Sequence, residues 1–194
     1  MNTELSPKAA EIVATARTLI ETGGFKGFSY ADISKQVGIR KPSIHHHFPS
    51  KADLVEVVIS QYRDEAITAL ESLNQTFLDP FERLQAYINY WSDCIEDSRP
   101  SFCLCALLAV EIDTLPENVM HQVRQHFEYL DQWMKGTLSA IFDNTGESNN
   151  LSASVEASAF VALVHGSMIS ARAMQNPQLF RQLMSHSLQQ LQRS

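Results

Sequence analysis

The chain has 194 residues, of which 44% are apolar and 19% are charged. These proportions predict a globular protein with a sizeable core and exclude a disordered, tail-like chain. No run approaches the roughly 18 apolar residues that cross a bilayer, and the first residues lack the pattern of a signal peptide. The three cysteines (Cys94, Cys103 and Cys105) show no disulfide-scaffold spacing, so we expect a protein of the reducing cytoplasm.

Charge is distributed unevenly along the sequence. The net charge is −7, but residues 1–55 hold seven basic and five acidic side chains, a balance of +2, which leaves −9 for residues 56–194. A mildly basic first part on an acidic remainder is the asymmetry expected when only one end of a protein meets phosphate.

Helix-start signals recur along the sequence. A capping side chain stands before each predicted start and is followed by a proline or by an acidic residue three positions later. No segment alternates apolar and polar residues between turn signals, as a strand would. We therefore predict an all-α protein of about nine helices without a sheet. The start signals are Ser6-Pro7, Ser29 with Asp32, Ser50 with Asp53, Asp79-Pro80 and Asn176-Pro177.

The predicted helix ends are less sharply marked. The first helix should stop at Gly23-Gly24, and the helix that opens at Ser50 should run to about Leu73. The helix that opens at Asp79 should end near Glu96. The segment "DNTGESNN" (143–150) is expected to be a loop between two long helices.

The segment "SYADISKQVGIRKPSIHHHFPSKADL" (29–54) predicts two short helices joined by a tight turn. Gly38 suits the turn because glycine adopts positive φ without strain. This spacing indicates a helix-turn-helix, whose second helix enters the major groove of DNA. The apolar residues placed to hold the two helices together are Ala31, Ile33, Val37, Ile39 and Ile44.

Two strings carry a closer resemblance. "AAEIVATARTLIETGGFKGFSYADISKQVGI" and "FPSKADL", within about residues 8–55, closely resemble the DNA-binding domain of the TetR family of transcriptional regulators. The resemblance implies a helix-turn-helix DNA-binding domain over residues 1–50. It also implies a larger helical ligand-binding and dimerisation domain over residues 51–194.

The resemblance also implies which residues meet DNA. Arg40, Lys41, Pro42 and Ser43 would form the leading end of the recognition helix, and Lys51 would contact phosphate. A tyrosine is usual where His45 stands, and a neutral imidazole donates more weakly to phosphate. A small capping residue is usual where Arg40 stands, and arginine there is able to add a base or phosphate contact. The full predicted set is Ser29, Tyr30, Arg40, Lys41, Pro42, Ser43, His45, His46, His47 and Lys51.

Three consecutive histidines raise the alternative of a metal site. Successive helical residues point about 100° apart, so His45, His46 and His47 do not converge on one ion as a tetrahedral or octahedral site requires. We therefore expect no metal and no cofactor, and we interpret the histidines as part of the DNA surface. Packed or solvated histidines are the alternative.

The resemblance implies a homodimer joined by the last two long helices. Small residues of the first of these helices would allow close approach: Ala157, Ala159, Ala162, Gly166, Ser167 and Ser170. The last helix would supply Leu179, Leu183, Leu188 and Leu191. Packing within one chain is the alternative.

Aromatic and methionine residues of the middle helices are candidates for an inducer pocket. His165 is either a polar anchor for a ligand or a satisfied core histidine. For each residue, ordinary core packing is the alternative. The candidates are Tyr87, Tyr90, Trp91, Phe102, Cys103, Leu107, Phe127, Leu130, Trp133, Met134, His165 and Met168.

Cys103 and Cys105 suggest a second kind of signal. Two residues apart on a helix, they lie on different faces, so a disulfide between them would distort the helix. Some TetR-family members that resemble this stretch respond to oxidants or electrophiles. A helix N-terminus favours thiolate, but the flanks are apolar and Arg99 is the only close positive charge, so inert buried thiols are the alternative.

We therefore predict a repressor that is released from a palindromic double-stranded operator by a small-molecule inducer, with the helix from Ser50 to Leu73 as the lever. The alternatives are a thiol-based sensor that uses Cys103 or Cys105, and a transcriptional activator. A helical enzyme that pairs either thiol with His165 is a further alternative. No catalytic order or phosphate-binding glycine loop in the sequence supports an enzyme, and we expect no membrane partner.

Overall fold

The computed structural model describes residues 5–97, 102–145 and 150–192, which form nine α-helices and no strand. The predicted all-α class is confirmed. The helices are α1 (Pro7–Gly23), α2 (Tyr30–Val37), α3 (Lys41–His47), α4 (Lys51–Thr76), α5 (Pro80–Glu96), α6 (Leu104–Ala109), α7 (Glu117–Thr145), α8 (Asn150–Ala173) and α9 (Pro177–Leu191). A 3₁₀ turn, Ile112–Thr114, precedes α7, and the centre of the predicted loop between α7 and α8 lies outside the described residues.

Local capping explains where several helices begin. Ser29 and Asp32 form a reciprocal capping box at α2, in which the backbone N–H of Ser29 donates to the Asp32 carboxylate over 2.8 Å. Ser50 and Asp53 do the same at α4, over 2.9 and 3.1 Å. These contacts satisfy N–H groups that a helix start otherwise leaves unpaired. Gly38 ends α2 in the left-handed conformation, with φ of 69°, as predicted.

Packing divides the chain into two compact units. The first comprises Met1–Glu65 and Leu104–His126, and the second comprises Ala66–Cys103 and Phe127–Ser194. Both α4 and α7 contribute residues to each unit. The predicted boundary after residue 50 separates a DNA-binding part from a ligand-binding part. Packing groups residues 51–65 and 104–126 with the first three helices.

Apolar residues of α1, α2 and α3 form the core of the first unit. Ile12 and Ile20 of α1, Ile33 of α2 and Ile44 of α3 are fully buried. Ala31 is exposed, so the prediction that it helps to hold α2 and α3 together is wrong. It lies two residues after the Ser29 cap, on the outward side of the first turn of α2.

The core of the second unit includes the contacts of α9 with α5 and α8. Phe180, Met184 and Leu188 of α9 are buried, and Arg181 on the other face of the helix pairs with Glu96 over 3.0 Å. Leu188 is therefore internal to its own subunit, which corrects its assignment to a seam between subunits. Ala157 and Ser167 of α8 are internal for the same reason.

Within the described residues, one helical segment is long and apolar enough to cross a membrane by composition alone. It is Ser154–Ala173 of α8, with a mean hydropathy of 1.2 and 39% of its most apolar stretch buried. Core helices of soluble proteins meet the same criterion, so the segment is weak evidence for a span.

Candidate functional site

The outward face of α3 holds most of the residues predicted to meet DNA. Ile44 is fully buried and anchors the helix, whereas Lys41, His45 and His46 are exposed. Arg40 occupies the N-cap position, and its side chain makes no capping hydrogen bond. Arginine has no acceptor for this role, so its guanidinium remains available for other contacts.

Residues from α2, α3 and α4, with the two residues that precede α2, line an open groove of about 420 Å³ in the first unit. Because its walls carry two ammonium groups and an imidazole, the groove suits an anion of phosphate size. Sequence reasoning selected five of the lining residues, and it did not select Phe28 or Ala31. The groove is lined by Phe28, Ser29, Tyr30, Ala31, Lys41, His45 and Lys51.

Tyr30 holds the end of α3 to the start of α4. Its hydroxyl lies 2.9 Å from the carbonyl oxygen of Phe48 and 2.6 Å from that of Ser50, and it is a donor to these acceptors. Burial, followed by the nearby Asp53 carboxylate, raises the pKa of Tyr30 to about 12. The side chain is therefore a neutral tether that forms one wall of the groove.

Lys51 lies at the first turn of α4, where the sequence predicts a phosphate contact. Its ammonium donates to the carbonyl oxygen of Phe28 and lies 4.7 and 4.1 Å from the ring centroids of Phe25 and Phe28. Burial lowers the pKa of Lys51, and the carboxylates of Glu111 and Asp32 act in the opposite direction. The aromatic rings and the carbonyl fix the ammonium in the wall of the groove.

His45 has a defined hydrogen-bonding direction. Its Nδ1 lies 3.1 Å from the carbonyl oxygen of Pro49, and its ring lies edge-on to Tyr30 with centroids 4.7 Å apart. Because a carbonyl only accepts, Nδ1 is the atom that carries the proton. A neutral His45 therefore presents Nε2 as an acceptor, and a protonated His45 presents it as a donor.

The three histidines do not converge. The rings of His46 and His47 lie 5.6 Å apart at 65°, while His45 faces Tyr30. Among the described residues, no group of three histidine, cysteine or acidic side chains is placed to hold a metal ion.

Glu111, next to the 3₁₀ turn, reaches the loop between α1 and α2. Its carboxylate accepts hydrogen bonds from the backbone N–H groups of Phe25, over 3.0 Å, and Lys26, over 3.4 Å. Gly24 makes this approach possible, because its φ is +70° and a Cβ there would lie 1.9 Å from a Glu111 oxygen. Sequence reasoning missed this contact, since the partners are 86 residues apart and no local pattern marks it.

Polar contacts also connect α4 to the start of α7 within the first unit. Glu56 accepts from the Asn118 amide over 2.7 Å, and Arg63 donates to Gln122 over the same distance. These neutral partners of charged groups were not identified from the sequence.

The residues predicted to line a pocket are mostly buried, and most lie in the second unit. The rings of Tyr87 and Trp133 are 5.4 Å apart, and those of Phe127 and His165 are 5.3 Å apart. Leu107 belongs to the first unit. Tyr90 is 58% exposed, so it does not line the interior of its own subunit, contrary to expectation. The buried members are Tyr87, Trp91, Phe102, Cys103, Leu130, Trp133, Met134, His165 and Met168.

All three cysteines are buried thiols outside any disulfide. Cys103 and Cys105 are 1% and 0% exposed, so neither thiol is accessible to a reagent in solution. Arg99, the basic residue that the sequence places near them, lies outside the described residues. Burial disfavours the thiol-sensing alternative, because reactive cysteines are solvent-accessible thiolates.

The two short helices α2 and α3 pack through buried apolar residues, and α3 has an exposed outward face. Together these features define a helix-turn-helix DNA-binding protein. Two family models match the chain: residues 12–58 match bacterial regulatory proteins of the tetR family, and residues 80–187 match the tetracyclin repressor-like C-terminal domain. The chain belongs to the TetR family and is a DNA-binding transcriptional regulator.

Known relatives support this assignment. A TetR-family regulator from Agrobacterium tumefaciens is 47% identical and has a TM-score of 0.89, over 94% of this chain and 96% of that one. The transcriptional repressor KstR2 of Mycolicibacterium smegmatis is 26% identical over 107 residues. The aligned part covers 55% of this chain and 52%, about half, of that repressor. The transcriptional activator FasR of the same species is 25% identical over 166 residues, 85% of this chain and 71% of FasR.

Proposed function

We propose that the protein is a cytoplasmic, homodimeric repressor that binds a palindromic operator and is released by a small-molecule inducer. It acts by binding and not by catalysis. The observation that supports this most strongly is the outward face of α3, where Lys41, His45 and His46 are exposed above the buried Ile44.

The groove supports a specific division of roles at the operator. Lys41, His45 and Lys51 line one concave surface that suits the sugar-phosphate backbone. Arg40, Pro42 and Ser43 are exposed at the leading end of α3, the part of a recognition helix that reaches base edges. We assign sequence reading to this end and phosphate positioning to the groove.

An exposed stripe along α8 supports dimerisation. Its members recur every three or four residues and so share one side of the helix. Four of them are alanine or glycine, which allow a second helix to approach closely. A Cβ at Gly166 would meet nothing within 4 Å in its own chain, so the subunit itself does not require glycine there. The exposed stripe is Val155, Ala159, Ala162, Gly166, Ile169 and Ala173.

Residues of α9 extend this surface. Leu183 of α9 is 37% exposed in its own subunit. Exposed apolar surface of this extent marks interaction sites in soluble proteins. We propose that α8 and α9 of two subunits form a four-helix interface, which presents two copies of α3 to a two-fold symmetric site.

An activator is the second candidate, and the match to FasR favours it. DNase footprinting on the DNA upstream of the gene tests the shared claim: we expect a protected palindrome whose half-sites lie about one helical turn apart. A transcription assay from the same DNA then separates the candidates. Loss of transcripts on adding protein supports repression, gain supports activation, and the absence of any protected site contradicts both.

A further inference from the structure

Arg40 is an unpaired cation at the leading end of α3. Its side chain is exposed, makes no capping hydrogen bond, and forms no hydrogen bond or ion pair with any other described residue. It also lies outside the lining of the groove, where Lys41 and Lys51 are placed for phosphate. The guanidinium is therefore available for a contact other than the phosphate contacts that the groove supports.

The other arginines of the first unit provide a comparison. Arg17 forms ion pairs with two glutamates, over 3.1 and 2.7 Å, and Arg63 donates to the side-chain oxygen of Gln122 over 2.7 Å. Arg124 of α7 is exposed and, like Arg40, has no partner among the described residues. Arg124 lies away from α3 in the sequence and outside the groove lining, so it is a matched control for the loss of an unpaired arginine.

The backbone around Arg40 is held on both sides. The Ser34 hydroxyl donates to the carbonyl oxygen of Ile39 over 2.5 Å, and the Ile39 N–H donates to the Ser34 carbonyl over 3.2 Å. On the other side, the Arg40 carbonyl accepts from the Ser43 N–H over 2.9 Å, and Ile44 is fully buried. A fixed backbone beneath an unpaired guanidinium limits the positions that this group samples, which lowers the entropic cost of a directed contact.

Arginine has the donors that the edge of a guanine accepts. Its planar guanidinium holds N–H groups in a fixed fork. In the major groove a guanine presents O6 and N7 as adjacent acceptors, and a bidentate arginine or lysine is the commonest specific contact to them. An adenine places a donor amino group beside its N7, so the fork matches guanine and not adenine.

We propose that Arg40 reads one guanine in each half-site of the operator, with its guanidinium donating to O6 and N7 in the major groove. Arg40 is thereby a specificity-determining residue. The operator carries this guanine beneath the leading end of each α3, at positions related by the two-fold axis. This inference rests on the proposed function, since it assumes a dimeric protein that binds a palindrome.

Modified bases in the footprinted operator test the contact atom by atom. 7-Deazaguanine lacks the N7 acceptor, whereas hypoxanthine keeps O6 and N7 and lacks the amino group that faces the minor groove. Each guanine of one half-site is replaced in turn, and titration of labelled DNA measures the affinity. We expect one position at which 7-deazaguanine weakens wild-type binding about tenfold and hypoxanthine leaves it unchanged.

Variants of the full-length protein then assign that guanine to Arg40. Arg40→Thr removes the guanidinium and places a helix-capping side chain at the N-cap of α3, so it should unfold at no lower temperature than the wild type. It should bind the unmodified and the 7-deazaguanine operators alike. Arg124→Thr should keep the discrimination of the wild type.

Arg40→Lys separates the fork from the charge. Lysine keeps the positive charge but not the planar fork, so this variant should keep the salt dependence of the wild type and lose most of the discrimination at the guanine. A phosphate contact predicts a different pattern, in which Arg40→Thr lowers affinity for all sequences alike, with a smaller salt slope and unchanged discrimination. That pattern would overturn the proposal. So would a half-site in which no guanine responds to 7-deazaguanine, or an equal loss of discrimination in Arg124→Thr.

Footprinting of the wild type separates this inference from the function on which it rests. A protected palindrome at which no guanine depends on Arg40 refutes the base contact alone. Wild-type protein that protects no DNA refutes the regulator itself, and the base contact with it.

Discussion

The Glu111 carboxylate accepts hydrogen bonds from the backbone N–H groups of Phe25 and Lys26, which lie 86 and 85 residues away in the sequence. The Phe25 ring in turn lies 4.7 Å from the Lys51 ammonium in the groove wall. The segment between α6 and α7 thereby helps to place a residue of the proposed DNA surface. Within the first unit, Glu111 is a positioning residue for that surface.

Glu111→Gln should weaken both the fold of the first unit and operator binding. The amide retains one acceptor but loses the charge-assisted component, so we expect the free energy of unfolding to fall by about 1 kcal/mol. Chemical denaturation and operator titration measure the two effects. Asp113→Asn, a neutral replacement at a nearby exposed position, is the matched control. If the two variants had the same free energy of unfolding and the same operator affinity, Glu111 would not be a positioning residue for the DNA surface.

His45→Ala should weaken operator binding. The Nδ1–H of His45 donates to the Pro49 carbonyl oxygen and its ring lies edge-on to Tyr30, so the imidazole is fixed in the wall of the groove. Loss of the contact that this ring makes to the sugar-phosphate backbone should lower the affinity by up to about tenfold, which titration of labelled operator DNA measures.

His45→Tyr keeps an aromatic ring with a hydrogen-bonding hydroxyl at this position and should bind the operator about as tightly as the wild type. His121→Ala, which removes an exposed histidine of α7 outside the groove lining, is the matched control and should leave affinity unchanged. Equal losses for His45→Ala and His121→Ala would show that His45 makes no contact with the operator.

Tyr30→Phe should destabilise the helix-turn-helix, because it removes the donor to the Phe48 and Ser50 carbonyls. We expect a loss of about 1 kcal/mol near neutral pH. The pKa of Tyr30 is about 12 in the fold, above the ordinary value of 10. Its contribution is therefore complete below pH 10 and is lost as pH rises towards 12.

Denaturation curves of the wild type and Tyr30→Phe measure both effects, and Tyr90→Phe removes the same atom from a ring that is 58% exposed. Equal losses in the two variants would mean that the Tyr30 tether contributes nothing specific.

Gly166→Leu should disrupt the proposed dimer. The leucine side chain would project from the stripe of α8 into a facing helix, while its helix propensity should stabilise α8 by about 0.8 kcal/mol or more. Gly136→Leu in α7 is the matched control, since its added Cβ likewise meets nothing within 4 Å. Sedimentation should show monomers for Gly166→Leu and dimers for Gly136→Leu. A dimeric Gly166→Leu protein would place the interface elsewhere.

Local features of the fold were predictable because their causes are local. The Ser29–Asp32 and Ser50–Asp53 boxes each lie within four residues, and Gly38 adopts the conformation that only glycine favours. The start of α5 at Asp79 follows from the same logic, as its carboxylate accepts from the Phe81 N–H over 2.9 Å.

Contacts between distant segments were not predictable from one sequence. Tyr30 was selected as a DNA contact, yet its hydroxyl is used by carbonyl groups 18 and 20 residues later. Tyr90 was grouped with Tyr87 and Trp91, although helical geometry turns it towards solvent while the other two point inward. Helix faces are periodic, but which face is covered depends on elements that the local pattern does not reveal.

The most direct test of the account is the salt dependence of operator binding by wild-type protein, Lys41→Ala and Lys135→Ala. Lys41 lines the groove in the first unit. The control substitution Lys135→Ala removes the same charge from the second unit. We predict specific wild-type binding that weakens with salt, a uniform loss of affinity with a smaller salt slope for Lys41→Ala, and no change for Lys135→Ala. Salt-independent wild-type binding, or equal effects of the two substitutions, would contradict a DNA-reading role for the face of α3.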